Sequence, residues 1–89
     1  MITVKHVGGD TWEVAVAAGT TTCHRVRVTN ADLERFGGGA SAEDLLQKSF
    51  QFLLERESNT SILSSFNLPV IGNYFPEYEA EIRQRLGAC

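Results

Sequence analysis

A chain of 89 residues with a net charge of −3 is the size of one domain, and a domain of that size buries only about 60–65% of its unfolded surface. With 43% hydrophobic and 21% charged residues it has the composition of a globular protein, which excludes disorder as its main state. The acidic balance gives no long-range attraction to phosphate, so a nucleic-acid partner would need a local basic patch. The first 29 residues alternate in character. Ile2, Val4 and His6 fall on one face, and Thr3, Lys5 and Val7 on the other. Gly8-Gly9-Asp10 supplies a turn; Trp12, Val14 and Val16 then alternate with Glu13 and Ala15. Ala18-Gly19-Thr20 makes a second turn, after which Val26 and Val28 alternate with Arg25 and Arg27. Period-two alternation broken by glycine turns predicts a three-stranded antiparallel meander over about residues 2–29, apolar on one face. Trp12, Val14 and Val26 are expected in the core, with Glu13, Arg25 and Arg27 in solvent. Facing Val4 with Val14 sets Lys5 opposite Glu13 and His6 beside Trp12. Facing Val14 with Val26 sets Glu13 opposite Arg27 and His24 beside Val16. On that register the basic residues of the sheet join a Lys5–Glu13–Arg27 row.

Helical signals begin at Thr29. The run "TNADLERFG" carries a cap at Thr29, an acid three residues on at Asp32, apolar Leu33 and Phe36, and a glycine stop, which predicts a helix of two turns. Gly37, Gly38 and Gly39 form a joint, with at least one of them expected at positive φ. "SAED" at 41–44 repeats the capping box and opens the main helix, about residues 42–57. Its apolar positions Ala42, Leu45, Leu46, Phe50, Phe52, Leu53 and Leu54 span roughly 200° of the wheel, too wide an arc for one sheet face to cover. A second layer must therefore lie over Leu54 or Phe52.

The material for that layer is "SILSSFNLPVIGNYFPEY", residues 61–78; between Glu57 and Glu77 there is no charged side chain. Ile62, Leu63 and Phe66 fit a short helical turn. Val70, Ile71, Tyr74, Phe75, Tyr78, Ile82 and Leu86 continue at three-and-four spacing. Pro69 suits a helix start behind a cap at Asn67, and Pro76 kinks or splits the run. The predicted fold class is α+β: a single domain in which the meander packs on the main helix, followed by a helical C-terminal half broken near Pro69 and Pro76. Ile71 and Phe75 are assigned to Leu53 and Leu54. Tyr74 and Tyr78 fall towards the rim.

The same stretch bears on function. "SILSSF–NLP–VIGNYF" has the outline of a helix-turn-helix, but residues 68–79 contain no Lys or Arg to meet phosphates, which argues against nucleic acid as its partner. A membrane span would need about 20 predominantly apolar residues, and this window holds two prolines and many Ser, Thr and Asn side chains. Cys23 and His24 are neighbours in a strand and point to opposite faces, and His6 lies at the other end of the sheet, so no metal site is predicted. No nucleophile motif occurs, and "GGGAS" lacks the spacing and lysine of a phosphate loop. No catalytic residue, cofactor or small-molecule substrate is identified. Cys23 and Cys89 read as unpaired thiols of a reducing cytoplasm, in keeping with an N-terminus "MITVKHVGGD" that lacks a secretory pattern. "NTS" at Asn59 is then a chance sequon, with Asn59 or Thr60 serving as a helix cap. The remaining apolar surface points to a protein partner or a homodimer, with Tyr74, Tyr78, Phe66 and Leu68 as candidate partner-binding residues. Three readings follow in order: a non-enzymatic interaction or regulatory module, self-associating or partner-binding through the aromatic segment; a nucleic-acid-associated regulator of antitoxin type; and an enzyme whose site no motif marks.

The run "SFQFLLERESNTSILSSFNLPVIGNYFPEYEAEI", residues 49–82, resembles a small family of bacterial proteins that share SFxFLLERE followed by SILxxF, LPVI and YFPEY. The resemblance implies a bacterial cytoplasmic protein and supplies no activity or site residues. A meander followed by a helix is also similar in outline to the sheet of HicB-like antitoxins, without a fourth strand after the helix.

Overall fold

The computed structural model describes residues 1–37 and 40–87. Three antiparallel strands come first: β1 (Ile2–Gly8), β2 (Thr11–Ala18) and β3 (Thr20–Arg27). Their faces are those expected from the alternation: Val14, Val16 and Val26 are fully buried, and Arg25 and Arg27 are exposed. Trp12 is half-buried rather than buried, because it lies next to the β1–β2 turn, where His6 stacks on it at 4.6 Å. Glu13 too is half-buried.

The β1–β2 register is the expected one, with Val4 opposite Val14, Lys5 opposite Glu13 and His6 opposite Trp12. The β2–β3 register is shifted by two residues. Val26 faces Trp12, Val14 faces His24, and Glu13 faces Arg25 instead of Arg27. The reason is the turn. The expected pairing centres the hairpin on Thr20, whereas the chain reverses at Gly19, whose φ of 84° lies in the left-handed region that disfavours a side chain. A shift of two leaves every side chain on its own face, which is why the core assignment survives the error.

Thr29 caps α1 (Asn30–Asp32) with the reciprocal bonds of a capping box: its hydroxyl accepts from the Asp32 amide at 3.2 Å and its own amide donates to the Asp32 carboxylate at 3.1 Å. The helix continues as a wider π turn over Leu33–Gly37. Gly37 is its last residue, buried and without positive φ. The expectation of a left-handed glycine at Gly38 or Gly39 lies outside the described residues.

The main helix, α2, is Ala42–Leu54, capped by Ser41, whose hydroxyl accepts from the Asp44 amide. It stops three residues short of 57. The amides of Arg56 and Glu57 both turn to the Leu53 carbonyl, at 3.0 and 2.9 Å, and Ser58 is extended. The wide apolar arc of α2 is buried on two sides. Phe50 meets the sheet, 5.4 Å from His24 and 6.2 Å from Phe66. Phe52 faces the other way, edge-on to Phe75 at 5.9 Å and to Tyr78 at 5.4 Å. The helix is thus the middle layer between the sheet and the C-terminal helices.

The stretch after α2 departs most from expectation. Ile62, Leu63 and Phe66 do not form a helix. A 3-10 turn at Asn59–Ser61 leads into a fourth strand, β4 (Ser65–Asn67), which pairs parallel to β3 with Arg25 opposite Ser65 and Val26 opposite Phe66. The sheet order is β1-β2-β3-β4, so a strand does follow the helix. Asn67 belongs to β4 and caps nothing; Pro69 occupies the N-cap position of α3 (Val70–Tyr74). Phe75 is extended, with φ −129° and ψ 91°, and α4 (Tyr78–Gly87) starts afresh beyond Pro76. These are two helices, not one bent helix.

Ion pairs tie the C-terminal layer down at its rim. The Arg56 guanidinium lies 3.6 Å over the Phe52 ring and bonds Glu77 at 3.2 Å. Arg85 bonds Glu55 at 2.6 Å. The Arg85 hydrogen bond holds the Glu55 carboxyl below its ordinary range, and a bond from its own backbone amide, then Arg56, does the same for Glu77.

Candidate functional site

Ile62, Leu53 and Ile71 are buried side by side at the far end of α2. Together they floor a shallow apolar groove, open to solvent. Phe66 from β4, Val70 from α3 and Phe75 form its half-buried walls, and Glu57 closes one end. Leu63 and Tyr74 stand on its rim, 45% and 65% exposed. Elsewhere among the described residues only Met1 and Val7 are large apolar side chains left in solvent, and neither lines the groove.

The chain before the groove is tied to β3 through the ring of His24. That ring is buried at 2% exposure, and its Nδ1–H donates to the Leu63 carbonyl at 2.8 Å. A carbonyl can only accept, so the proton sits on Nδ1 and Nε2 faces the Thr22 hydroxyl at 2.8 Å. The Arg25 amide donates to the Ser64 carbonyl at 2.8 Å and the Leu68 amide to the Arg27 carbonyl at 3.0 Å. Asn59 fixes the start of the segment. Its side-chain amide is buried and donates to the Val16 and Thr20 carbonyls at 3.3 and 2.6 Å, across the β2–β3 hairpin. It therefore neither caps a helix nor offers its nitrogen to a glycan.

Of the four candidate partner-binding residues, Tyr74 and Phe66 lie at this groove, the first exposed and the second half-buried. Leu68 and Tyr78 are fully buried, which corrects the expectation that they face a partner. Leu68 turns inward as it hands β4 over to Pro69. Carrying one helical wheel across Pro76 puts Tyr78 on the rim, but as the first residue of α4 it points into the core between Phe36, at 5.2 Å, and Phe52. Its hydroxyl meets Ser49 Oγ at 2.7 Å, and Ser49 donates to the Leu45 carbonyl at 2.6 Å, so Tyr78 donates to Ser49. Burial drives the Tyr78 hydroxyl above the ordinary phenol range; the Ser49 bond opposes this and the Asp32 charge adds to it.

No protein family, curated protein or solved structure matches this chain.

The remaining sequence candidates do not converge. Cys23 is exposed and unpaired on the open face of the sheet, while its neighbour His24 is in the core. Among the described residues no three His, Cys, Asp or Glu side chains gather as metal ligands, and no helix is long and apolar enough to cross a membrane. The open sheet face carries Lys5, Glu13, Arg25 and Arg27, and among the described residues none of these makes an ion pair. The Lys5–Glu13–Arg27 row is replaced by a Lys5–Glu13–Arg25 alignment, with Arg27 one position beyond it. Sequence reasoning missed Leu63, Val70 and both arginines as parts of one surface, because only β4 brings them together.

Proposed function

We propose that this protein is a small non-enzymatic interaction or regulatory module that binds a protein partner in the groove between α2, β4 and α3. The observation that carries this is the clustering of exposed apolar surface. Leu63 and Tyr74 remain in solvent on the rim of a groove walled by Phe66, Val70 and Phe75, in a domain that hides nearly all its other large apolar side chains. Aromatic side chains on such a rim are frequent anchors of protein interfaces. A cytoplasmic setting is part of the reading and is supported by the exposed free thiol of Cys23.

The nucleic-acid alternative rests on Lys5, Arg25 and Arg27, exposed on the open sheet face. Among the described residues that face presents no aromatic ring on which a base could stack, because Trp12 and Phe66 share a row directed to the core side. Three cations with Glu13 among them make a weak phosphate-binding surface.

The test is the variant pair Tyr74→Ala and Leu63→Ser. Tyr74 is mostly in solvent and Leu63 about half, so stability should change by no more than about 1 kcal/mol. Self-association measured by light scattering, or binding of a purified partner, should weaken. Variants that melt outright, or that leave every such association unchanged, would remove the support for this reading.

A further inference from the structure

The groove is bordered by an open sheet edge, and the two together specify what binds there. In the parallel pairing of β3 with β4, the backbone bonds on either side run through Ser64 and Leu68, with Phe66 between them. Alternation along a strand then directs the N–H and C=O groups of Ser65 and Asn67 away from β3. Both residues are exposed. A strand edge with unpaired backbone groups is a template for another extended segment.

A segment laid along this edge sends alternate side chains to opposite faces. One set falls beside Phe66 and into the groove under Leu63, Val70 and Tyr74. The other set falls on the open face beside Ser65 and Asn67. There the exposed guanidiniums of Arg25 and Arg27 stand one strand inward, without an ion pair among the described residues. Neighbouring strands are about 4.8 Å apart, so an added strand lies roughly 10 Å from β3, a gap that an arginine arm and an acidic side chain can close between them. The net charge of −3 is largely screened beyond the Debye length of about 8 Å, so an acidic side chain laid beside β4 meets chiefly the local arginine pair. A second copy of this chain fits less well. Pairing β4 with its own copy about a two-fold axis would set both arginine pairs on one face, roughly 14 Å apart, with no acid between them to pair with either.

We propose that the partner is an extended peptide segment in which apolar residues alternate with acidic ones, added to the sheet along β4. The proposal rests on the groove reading above and names its ligand. With only two outward-facing residues on β4, the main-chain bonds give register and direction, and the groove gives most of the affinity.

A random twelve-residue peptide library displayed on phage, selected against the immobilised full chain, tests this. Enriched peptides are then synthesised and titrated into the isotope-labelled protein by NMR. Enrichment of alternating apolar and acidic residues is expected, with amide shifts centred on Ser65, Asn67, Val70 and Tyr74. Affinity should fall about tenfold or more in the double variant Arg25→Glu/Arg27→Glu, and likewise when lysines replace the acids of the peptide. Ser65→Pro removes an outward N–H that β3 does not use, and should weaken binding as well. The charge-reversed variant alters only exposed side chains, so it decides the matter if Ser65→Pro folds badly. Binding that Tyr74→Ala abolishes but charge reversal and Ser65→Pro leave intact overturns strand addition and keeps the groove reading. Self-association broken by Tyr74→Ala, with no peptide enriched, overturns the peptide in favour of a second copy. No enrichment and no self-association overturns both.

Discussion

Replacing Tyr78 by phenylalanine and Ser49 by alanine, singly and together, tests how the C-terminal layer is held. The bond chain runs from the Tyr78 hydroxyl to Ser49 Oγ to the Leu45 carbonyl, at 2.7 and 2.6 Å, and both side chains are at 0% exposure. Tyr78→Phe keeps the ring against Phe36 and Phe52 and removes one donor; Ser49 still donates to Leu45. The expected cost is about 1 kcal/mol. Ser49→Ala leaves the buried Tyr78 hydroxyl with no acceptor, which should cost about 2 kcal/mol or more. The double variant has nothing left unpaired, so its cost should fall below the sum of the two singles. A second readout is alkaline pH. The folded-state pKa of Tyr78 is raised, so the stability it contributes is complete below the unfolded value near 10 and declines above it. The slope of that decline should be about 1.4 kcal/mol per pH unit, and Tyr78→Phe should lack it. Urea unfolding followed by Trp12 fluorescence at pH 7 and above pH 10 measures both. Additive single costs, together with an unchanged alkaline slope, would show that Tyr78 is not buried against Ser49 and that the docking of α4 is wrongly described.

Asn59→Ala should cost about 1–3 kcal/mol in urea unfolding, since it strips the Val16 and Thr20 carbonyls of their donor, and Asn59→Asp should cost more because a carboxylate would face both carbonyls. Phe75→Ala should destabilise by about 2–3 kcal/mol rather than abolish folding, because the ring is half-buried beside Phe52; Trp12→Ala should cost about 2 kcal/mol for the same reason. Glu55 and Glu77 have folded pKa values below their ordinary 4.5, so their contribution is present above that value and lost as pH falls through the folded value; an acid titration of thermal stability should show a loss in that window, reduced in Arg56→Ala.

Much of the fold is legible because its signals are local. Alternation in Ile2–Val4 and Trp12–Val16 shows which face is buried, and Thr29 with Asp32 and Ser41 with Asp44 mark where helices begin. The wide apolar arc of α2 announces a second layer, and Phe52 finds it in Phe75 and Tyr78. What failed was non-local. The β2–β3 register depended on which of Gly19 and Thr20 centres the turn, and hydrophobic patterning is blind to a two-residue slip. β4 is three residues long, too short for a period to appear, and the spacing of Ile62, Leu63 and Phe66 imitates a helical turn. Half of the candidate surface was visible in Tyr74 and Phe66. Leu63, Arg25 and Arg27 were not, because they join it only once β4, which pairs Arg25 with Ser65 far along the chain, has docked on β3.

That distance along the chain also orders the assembly of the domain. The two hairpins of the meander close short loops and can form early, whereas β4 must wait until α1 and α2 have bridged the span from His24 to Leu63. Its ladder is only three residues long, backed by the His24 and Asn59 side-chain bonds and by buried Leu68, so β4 should open before the meander does. Amide exchange at Arg25 and Leu68, whose N–H groups cross between β3 and the β4 segment, should therefore run through a partial opening that spares Val14 and Val16. The rim proposed to meet a partner can then be remade many times within the lifetime of one folded molecule.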